Sequence, residues 1–331
     1  MSKGSILVVG GAGYIGSQVN KELCEAGYHT IVFDNLSTGS RETVTTDEFV
    51  EGDIGDERAL TELFCRTDID AVMHFAADID VGESVRNPQK YYNNNLVKTK
   101  VLLDTMLKHD IKKIIFSSTA AIFGIPEKGL IDEDHLQLPI NPYGESKLMV
   151  ERILRDYDKA YGLRYCSFRY FNAAGGDPQQ KIPYLKQKET NLIPVLLRNL
   201  KNGNSRSTIF GTDYPTRDGT CVRDYIHICD LADAHIKGLN QLLKGAVSRV
   251  YNLGNGKGYT VKEVVDAVNR VTNSTLNITE GPRREGDPHT LIADGTKAKT
   301  ELKWTPRYSL KEMIEHAWNA MKLSGEFLEQ I

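Results

Sequence analysis

Val8-Val9-Gly10-Gly11-Ala12-Gly13-Tyr14-Ile15-Gly16 decides how this chain is read. The glycines satisfy G-x-G-x-x-G at Gly11, Gly13 and Gly16, and G-x-x-G-x-x-G at Gly10, Gly13 and Gly16. The motif follows a short apolar run, Ile6-Leu7-Val8-Val9, and opens a segment with helical spacing. Missing side chains let the backbone approach a pyrophosphate, while the helix N-terminus offers unpaired N–H groups and a positive dipole. A strand-to-helix turn of this kind predicts a dinucleotide site. Asp34 closes the second apolar run, 18 residues past Gly16. A carboxylate there accepts hydrogen bonds from ribose hydroxyls and repels a 2′-phosphate. No Arg lies between Asp34 and Gly39 to reverse that preference, so the expected cofactor is NAD rather than NADP.

Working outward, apolar runs at 5–10, 29–34, 49–52, 71–76, 112–118 and 164–170 read as strands buried on both faces. Segments at 14–26, 57–66, 88–108 and 142–161 read as helices, the last started by Asn141-Pro142. This alternation predicts an α/β fold, a doubly wound parallel sheet of the Rossmann type. The rhythm breaks after Asn172, and 173–189 reads as a loop. Farther on, 230–244 reads as a helix and 249–253 as one more sheet strand. Thr260-x-x-Glu263 and Ser309-x-x-Glu312 are capping-box starts. The expected organisation is a cofactor-binding domain over 1–175, with 221–253 returning to it. A smaller mixed α/β lobe over 176–220 and 254–331 is expected to take the substrate.

The 331 residues carry 44 acidic and 41 basic side chains, a formal charge of −3 that gives no broad footprint for nucleic acid or an anionic membrane. No stretch approaches the ~18 apolar residues of a spanning helix. Five cysteines without a C-x-x-C pair suggest reduced thiols and a cytoplasmic setting. The histidines include no H-E-x-x-H, so no metal is expected. His227 and His235 read as structural, and Trp304 and Trp318 as packing residues.

A second motif is Tyr143-Gly-Glu-Ser-Lys147. On a helix this spacing puts both side chains on one face. An ammonium beside a phenol favours the phenolate, so the spacing predicts a tyrosine base with a lowered pKa. The pattern arises easily by chance, and Tyr184…Lys188 repeats it in the unpatterned segment. Context separates them. Tyr143 follows a helix start and lies downstream of Phe116-Ser117-Ser118-Thr119, hydroxyls at the carboxyl end of a strand, where doubly wound folds place ligands.

Glycine fingerprint, strand-end hydroxyl and Y-x-x-x-K in this order resemble the extended short-chain dehydrogenase/reductase family, and within it the UDP-glucose 4-epimerases. The likeness runs almost end to end. Its strings include Asp34-Asn35-Leu36-Ser37, Gly52-Asp53-Ile54, His74-Phe75-Ala76-Ala77, Tyr91-Tyr92-Asn93-Asn94-Asn95, Arg169-Tyr170-Phe171-Asn172, Val222-Arg223-Asp224-Tyr225 and Arg283-Arg284-Glu285-Gly286-Asp287.

The resemblance implies interconversion of UDP-glucose and UDP-galactose. Tyr143 would take the sugar O4 proton while C4 passes its hydride to the nicotinamide. Thr119 would hydrogen-bond that oxygen, and Lys147 would hold the nicotinamide ribose. The ketose then turns over and recovers the hydride on its other face. Cofactor-contacting positions implied with the glycines Gly10, Gly13 and Gly16 are Tyr14, Ile15, Asp34, Asn35, Leu36, Ser37, Thr38, Gly39, Asp53, Ile54, Phe75, Ala76, Ala77, Ile79, Asn94 and Phe171, besides Thr119, Tyr143 and Lys147. Positions implied for the UDP-sugar are Asn172, Asn191, Leu192, Thr208, Ile209, Phe210, Arg223, Arg284 and Asp287. Arginine forks suit a diphosphate. Leu291, four residues past Asp287, stands where the family gates the sugar pocket. Tyr there resembles enzymes confined to glucose and galactose, whereas Cys or Ser resembles those that also take N-acetyl sugars. The Leu implies a preference for UDP-glucose and UDP-galactose.

Three departures stand out: Val9 for a usual Thr, Thr119-Ala120-Ala121 for the commoner Ser-Ala-Thr, and Ile79 where some relatives carry a cofactor-facing Lys. The rivals are a nucleotide-sugar dehydratase, another nucleotide-sugar epimerase and a catalytically dead NAD-sensing protein. The dehydratases resembled here place an Asp-Glu pair where this chain has Ala120 and Ala121. A dead protein need not keep Thr119, Tyr143 and Lys147 together. The resemblance further implies a homodimer formed through the helices at 88–108 and 142–161.

Overall fold

The computed structural model describes residues 3–46, 48–185, 189–284 and 287–328. Its main sheet has seven strands. In chain order these begin with β1 (Ser5–Val9), β2 (His29–Asp34), β3 (Phe49–Glu51), β4 (Ala71–His74) and β5 (Lys113–Thr119). Arg164–Tyr170 and Arg249–Leu253 complete it, and the spatial order is Arg249–Leu253, Arg164–Tyr170, β5, β4, β1, β2, β3. The pairs among β1–β5 are parallel. The expected doubly wound sheet is therefore present, its order reversing between β1 and β4, where such folds open a crevice.

Strand interiors are sealed on both faces. Leu7, Val9, Ile31, Phe33 and Phe116 share one core with Leu60, Leu102, Met106, Val150 and Leu154 from the covering helices. Ile6 and Val8 point to the opposite face and are equally buried. Burial on both sides explains why these strands read as continuous apolar runs rather than alternating ones.

Helices α1 (Tyr14–Glu25) and α2 (Glu57–Arg66) lie within a residue of the expected spans. The helix carrying Tyr143, Pro142–Tyr161, starts where Asn141 accepts the Gly144 N–H at 2.8 Å. It ends on Gly162 in the left-handed region. The single helix expected over 88–108 is not continuous. Pro88–Tyr91 and Lys98–Lys108 are α-helical, but Tyr92–Val97 is a π-helical stretch between them. A widened turn of this kind often marks a functional site. Here it delivers Asn95, whose side chain accepts the Asp78 N–H and donates to the Asp78 carbonyl, both at 2.9 Å.

The chain divides into two compact units. One takes residues 1–124, 137–169 and 232–251; the other takes 125–136, 170–231 and 252–331. The second unit holds a four-stranded sheet in the order Tyr259–Thr260, Val222–Arg223, Thr290–Ala293, Leu130–Ile131. Two pairs join it: Tyr225–His227 with Asn172–Ala174, and Asn277–Gly281 with Arg206–Phe210. Asp224, fully buried, fastens this region by accepting the Asn255, Gly256 and Ala293 N–H groups. Both expected capping boxes form, at Thr260/Glu263 and Ser309/Glu312.

Candidate active site

The glycine loop leaves β1 at Gly10, whose φ of +75° belongs to the left-handed region. A Cβ there would sit 2.4 Å from the Ala76 nitrogen, and one on Gly16 would sit 2.2 Å from the Gly10 carbonyl oxygen. Only glycine allows the loops after β1 and β4 to meet so closely. Gly13 precedes α1 without any side-chain cap. An anion cradle needs such a helix start. Asp34 ends β2 with its carboxylate turned to this loop, accepting the Ala12 N–H at 3.0 Å and the Leu36 N–H at 2.9 Å. Each oxygen keeps lone-pair capacity for a hydroxyl. Burial pushes the Asp34 carboxyl up, and the two backbone donors oppose it. Asp53 receives the Asn35 amide at 2.9 Å and the Lys98 ammonium at 2.6 Å. The loop residues present thus fit a ribose and a diphosphate.

At the carboxyl end of β5, three hydroxyl residues meet the helix Pro142–Tyr161. The Thr119 hydroxyl oxygen accepts the Ala121 N–H at 3.1 Å, which leaves its proton for the Tyr143 oxygen. Lys147 is 3% exposed, and its Nζ donates to the Ser117 carbonyl at 3.0 Å. Burial lowers its pKa to about 7. Close packing sets this spacing. A Cβ on Gly144 would lie 2.5 Å from the Ala121 carbonyl oxygen. The sequence motif had suggested a phenol shifted towards neutrality by Lys147. In the protein alone the Tyr143 phenol is instead pushed up by burial, with Thr119 pulling the other way. Lys147 reaches Ser117 rather than the phenol, so desolvation wins until further positive charge arrives.

The other named positions fall as follows. Asn94 is half-buried inside the π-helical stretch, and Ile79 is 47% exposed. In the second unit, Arg223 donates to the Asp287 carboxylate at 2.5 Å. Leu291, half-buried, is the registered neighbour of Arg223. The Arg284 guanidinium lies 4.3 Å from the centre of the Phe210 ring. Thr208 shares a hydroxyl contact of 3.0 Å with Thr279, and Ile209 is buried between these exposed neighbours. Asn172 gives both its backbone and side-chain N–H to the Asp224 carbonyl. Asn191 precedes the helix Leu192–Lys201. Tyr184, the chance match, spends its hydroxyl on Glu189 at 2.9 Å, while Lys188, Glu285 and Gly286 lie outside the described residues.

Known proteins resemble this chain along almost its whole length. The family model described as GDP-mannose 4,6 dehydratase matches residues 7–317. A curated relative from Halalkalibacterium halodurans, named UDP-glucose 4-epimerase, is 48% identical over 316 residues, 95% of each chain. The UDP-glucose 4-epimerase of Brucella ovis, solved in complex with NAD, superposes at a TM-score of 0.93 with 42% identity over 95% of this chain and 97% of that one. The Bifidobacterium longum enzyme, solved with NAD+ and UDP, superposes at 0.91 with 37% identity over 97% and 99%.

This chain belongs to the UDP-glucose 4-epimerase family. It is an isomerase on the scaffold that the dehydratase model also describes. The dehydratase reading is not favoured, and Ala120 and Ala121 show why: neither can donate the proton that expelling water needs. Three side chains escaped the sequence reading. Asn95 was hidden in a run of asparagines. Glu151 and Arg169 form a buried ion pair, signalled only by a carboxylate one turn past Lys147 on the same face.

Removing the Tyr143 hydroxyl tests the site directly. Tyr143→Phe is expected to lower kcat by about 10²-fold or more, the range for general acid–base groups, with UDP affinity near normal. Tyr184→Phe, assayed beside it, should stay within about twofold of the parent, since its lost bond to Glu189 touches stability alone. Near-parental turnover of Tyr143→Phe would move proton transfer to another residue.

Proposed function

We propose that this epimerase interconverts UDP-glucose and UDP-galactose with Tyr143 as the base, Thr119 as the O4 hydrogen-bond donor and Lys147 as the charge that favours the phenolate. The observation that carries the assignment is the placement of the Thr119 hydroxyl where it lowers the Tyr143 phenol's pKa, with Lys147 buried one helical turn away and held on the Ser117 carbonyl. NAD, when bound, supplies the redox half of the reaction, taking up and returning the hydrogen at sugar C4. The O4 proton moves to the Tyr143 oxygen as the C4–O4 double bond forms, and Tyr143 returns it once the ketose has presented its other face. The phenolate of Tyr143 is the form that accepts the O4 proton. Acid protonates the phenolate, so turnover falls as pH drops.

The first unit holds NAD, through the glycine loop, Asp34 and the segment after β4. The second holds the UDP-sugar. There Arg223 and Arg284 meet the diphosphate, whose two negative charges suit guanidinium forks. Asp287 holds Arg223 in place beforehand. Two chains associate through the helical region at 88–108 and the helix Pro142–Tyr161, where Val97 and Tyr161 are exposed apolar residues. A cytoplasmic setting fits the five free cysteines. Among the described residues, no helix is long and apolar enough to cross a membrane.

A coupled assay on UDP-galactose without added NAD is the test of this reading. UDP-glucose should appear at a steady rate from freshly purified protein. Production of NADH equal to the sugar consumed would instead mark a dehydrogenase.

Leu291 bears on pocket breadth. A Leu lacks the bulk of Tyr but offers no polar partner to an acetamido group, and an unpaired buried amide costs about 1–3 kcal/mol. The ratio of kcat/KM for UDP-galactose over UDP-N-acetylgalactosamine should exceed one in the parent and rise further in Leu291→Tyr. A ratio unmoved by that substitution would mean that Leu291 does not face the sugar.

A further inference from the structure

Lys147 and Glu151 are four residues apart on one face of a helix, both buried, at 3% and 7% exposure. Opposite charges at that spacing ordinarily pair, and burial strengthens the attraction. Here they do not. The Lys147 ammonium donates to the Ser117 carbonyl and lies 4.9 Å from the centre of the Phe116 ring. The Glu151 carboxylate is taken by Arg169, which donates from Nη2 at 2.6 Å and from Nε at 3.0 and 3.2 Å. The Ser118 hydroxyl also donates to Glu151. Arg169, 4% exposed, reaches in from the strand Arg164–Tyr170 with its guanidinium 5.4 Å from the centre of the Phe123 ring. A forked, partly stacked arginine is well suited to holding a carboxylate in one orientation.

We propose that Arg169 is a positioning residue that sequesters the Glu151 carboxylate, so that Lys147 remains an uncompensated cation available to Tyr143. The proposal rests on the assignment of Tyr143 and Lys147 made above. Without Arg169, Lys147 is the buried cation one turn away on the same helix face to which the Glu151 carboxylate can turn, whereas Arg155, one turn on, is exposed. Their pairing would cancel the charge that favours the phenolate and draw the ammonium from its place above Ser117. Other groups facing Lys147 do not compete. His74, from β4, is neutral near physiological pH, its pKa lowered to about 3 by burial and by the Lys147 charge. It gives its Nε2 to a contact of 2.9 Å with Thr99. Tyr165, beside Glu151 and Arg169, is a phenol pushed up by burial.

The experiment is the pH profile of kcat for the NAD-loaded enzyme at saturating UDP-galactose. The parent is compared with Arg169→Met and with Arg169→Met/Glu151→Gln. In the single variant the acidic limb should move up by about one pH unit and kcat at pH 7 should fall about tenfold, with KM within about threefold. Adding Glu151→Gln removes the competing charge and should restore the limb and bring kcat to within about threefold of the parent. A merely structural role predicts no such rescue. An unmoved limb in the single variant, or a double variant no better than the single, would overturn the proposal. If Arg169→Met does not fold, the double variant decides: a parental limb and kcat support the proposal, and loss of either overturns it. Full activity of Tyr143→Phe would undo the base assignment itself, a separate failure.

Discussion

Three consecutive residues at the end of β5 are gripped by three successive turns of one helix. Tyr143 meets the Thr119 hydroxyl, Lys147 meets the Ser117 carbonyl and Glu151 meets the Ser118 hydroxyl. This register between strand and helix is the constraint on which the rest of the site depends. It fixes where a proton can be taken up relative to the crevice between β1 and β4, where the glycine loop lies. Gly144, packed against the Ala121 carbonyl, and Asn95, donating to the Ser146 hydroxyl at 3.2 Å, hold the same helix from two further sides. Preorganisation of this kind is what lets a small set of side chains act without reorganising.

The same burial that fixes geometry makes charge expensive. It lowers Lys147 to about 7 and raises Tyr143, so burial keeps the phenol protonated and holds the ammonium less firmly than in water. Positive charge entering beside the phenol would favour the phenolate. Glu151 would spoil that balance if it reached Lys147. Its capture by Arg169 removes a negative charge from the reacting centre while leaving the helix-to-strand register intact.

The sheet was legible from sequence because its inner strands are buried on both faces and read as apolar runs, while the edge strand β3 is only partly buried. Arg164–Tyr170 and Arg249–Leu253 were legible to the residue. Strands such as Val222–Arg223 or Leu130–Ile131 were not, since two residues carry no periodicity and are defined by their partners alone. The π-helical interruption at Tyr92–Val97 was equally hidden, because Asn95 finds the Asp78 backbone only once the chain is folded. Tyr143, Lys147 and Thr119 were legible as a set from spacing and strand context, and the structure brings all three together. What the spacing misjudged was electrostatics. Whether an ammonium reaches a phenol or a carbonyl is settled in three dimensions, and here it reaches Ser117.

The central claim is that the residues where the end of β5 meets the helix Pro142–Tyr161 handle only a proton, while the hydrogen on sugar C4 leaves and returns to the same carbon. UDP-galactose bearing deuterium at C4 tests it most directly. Epimerised by the NAD-loaded protein in ordinary water, it should yield UDP-glucose with the deuterium still at C4. Deuterium lost to solvent, or found at another carbon, would contradict the account.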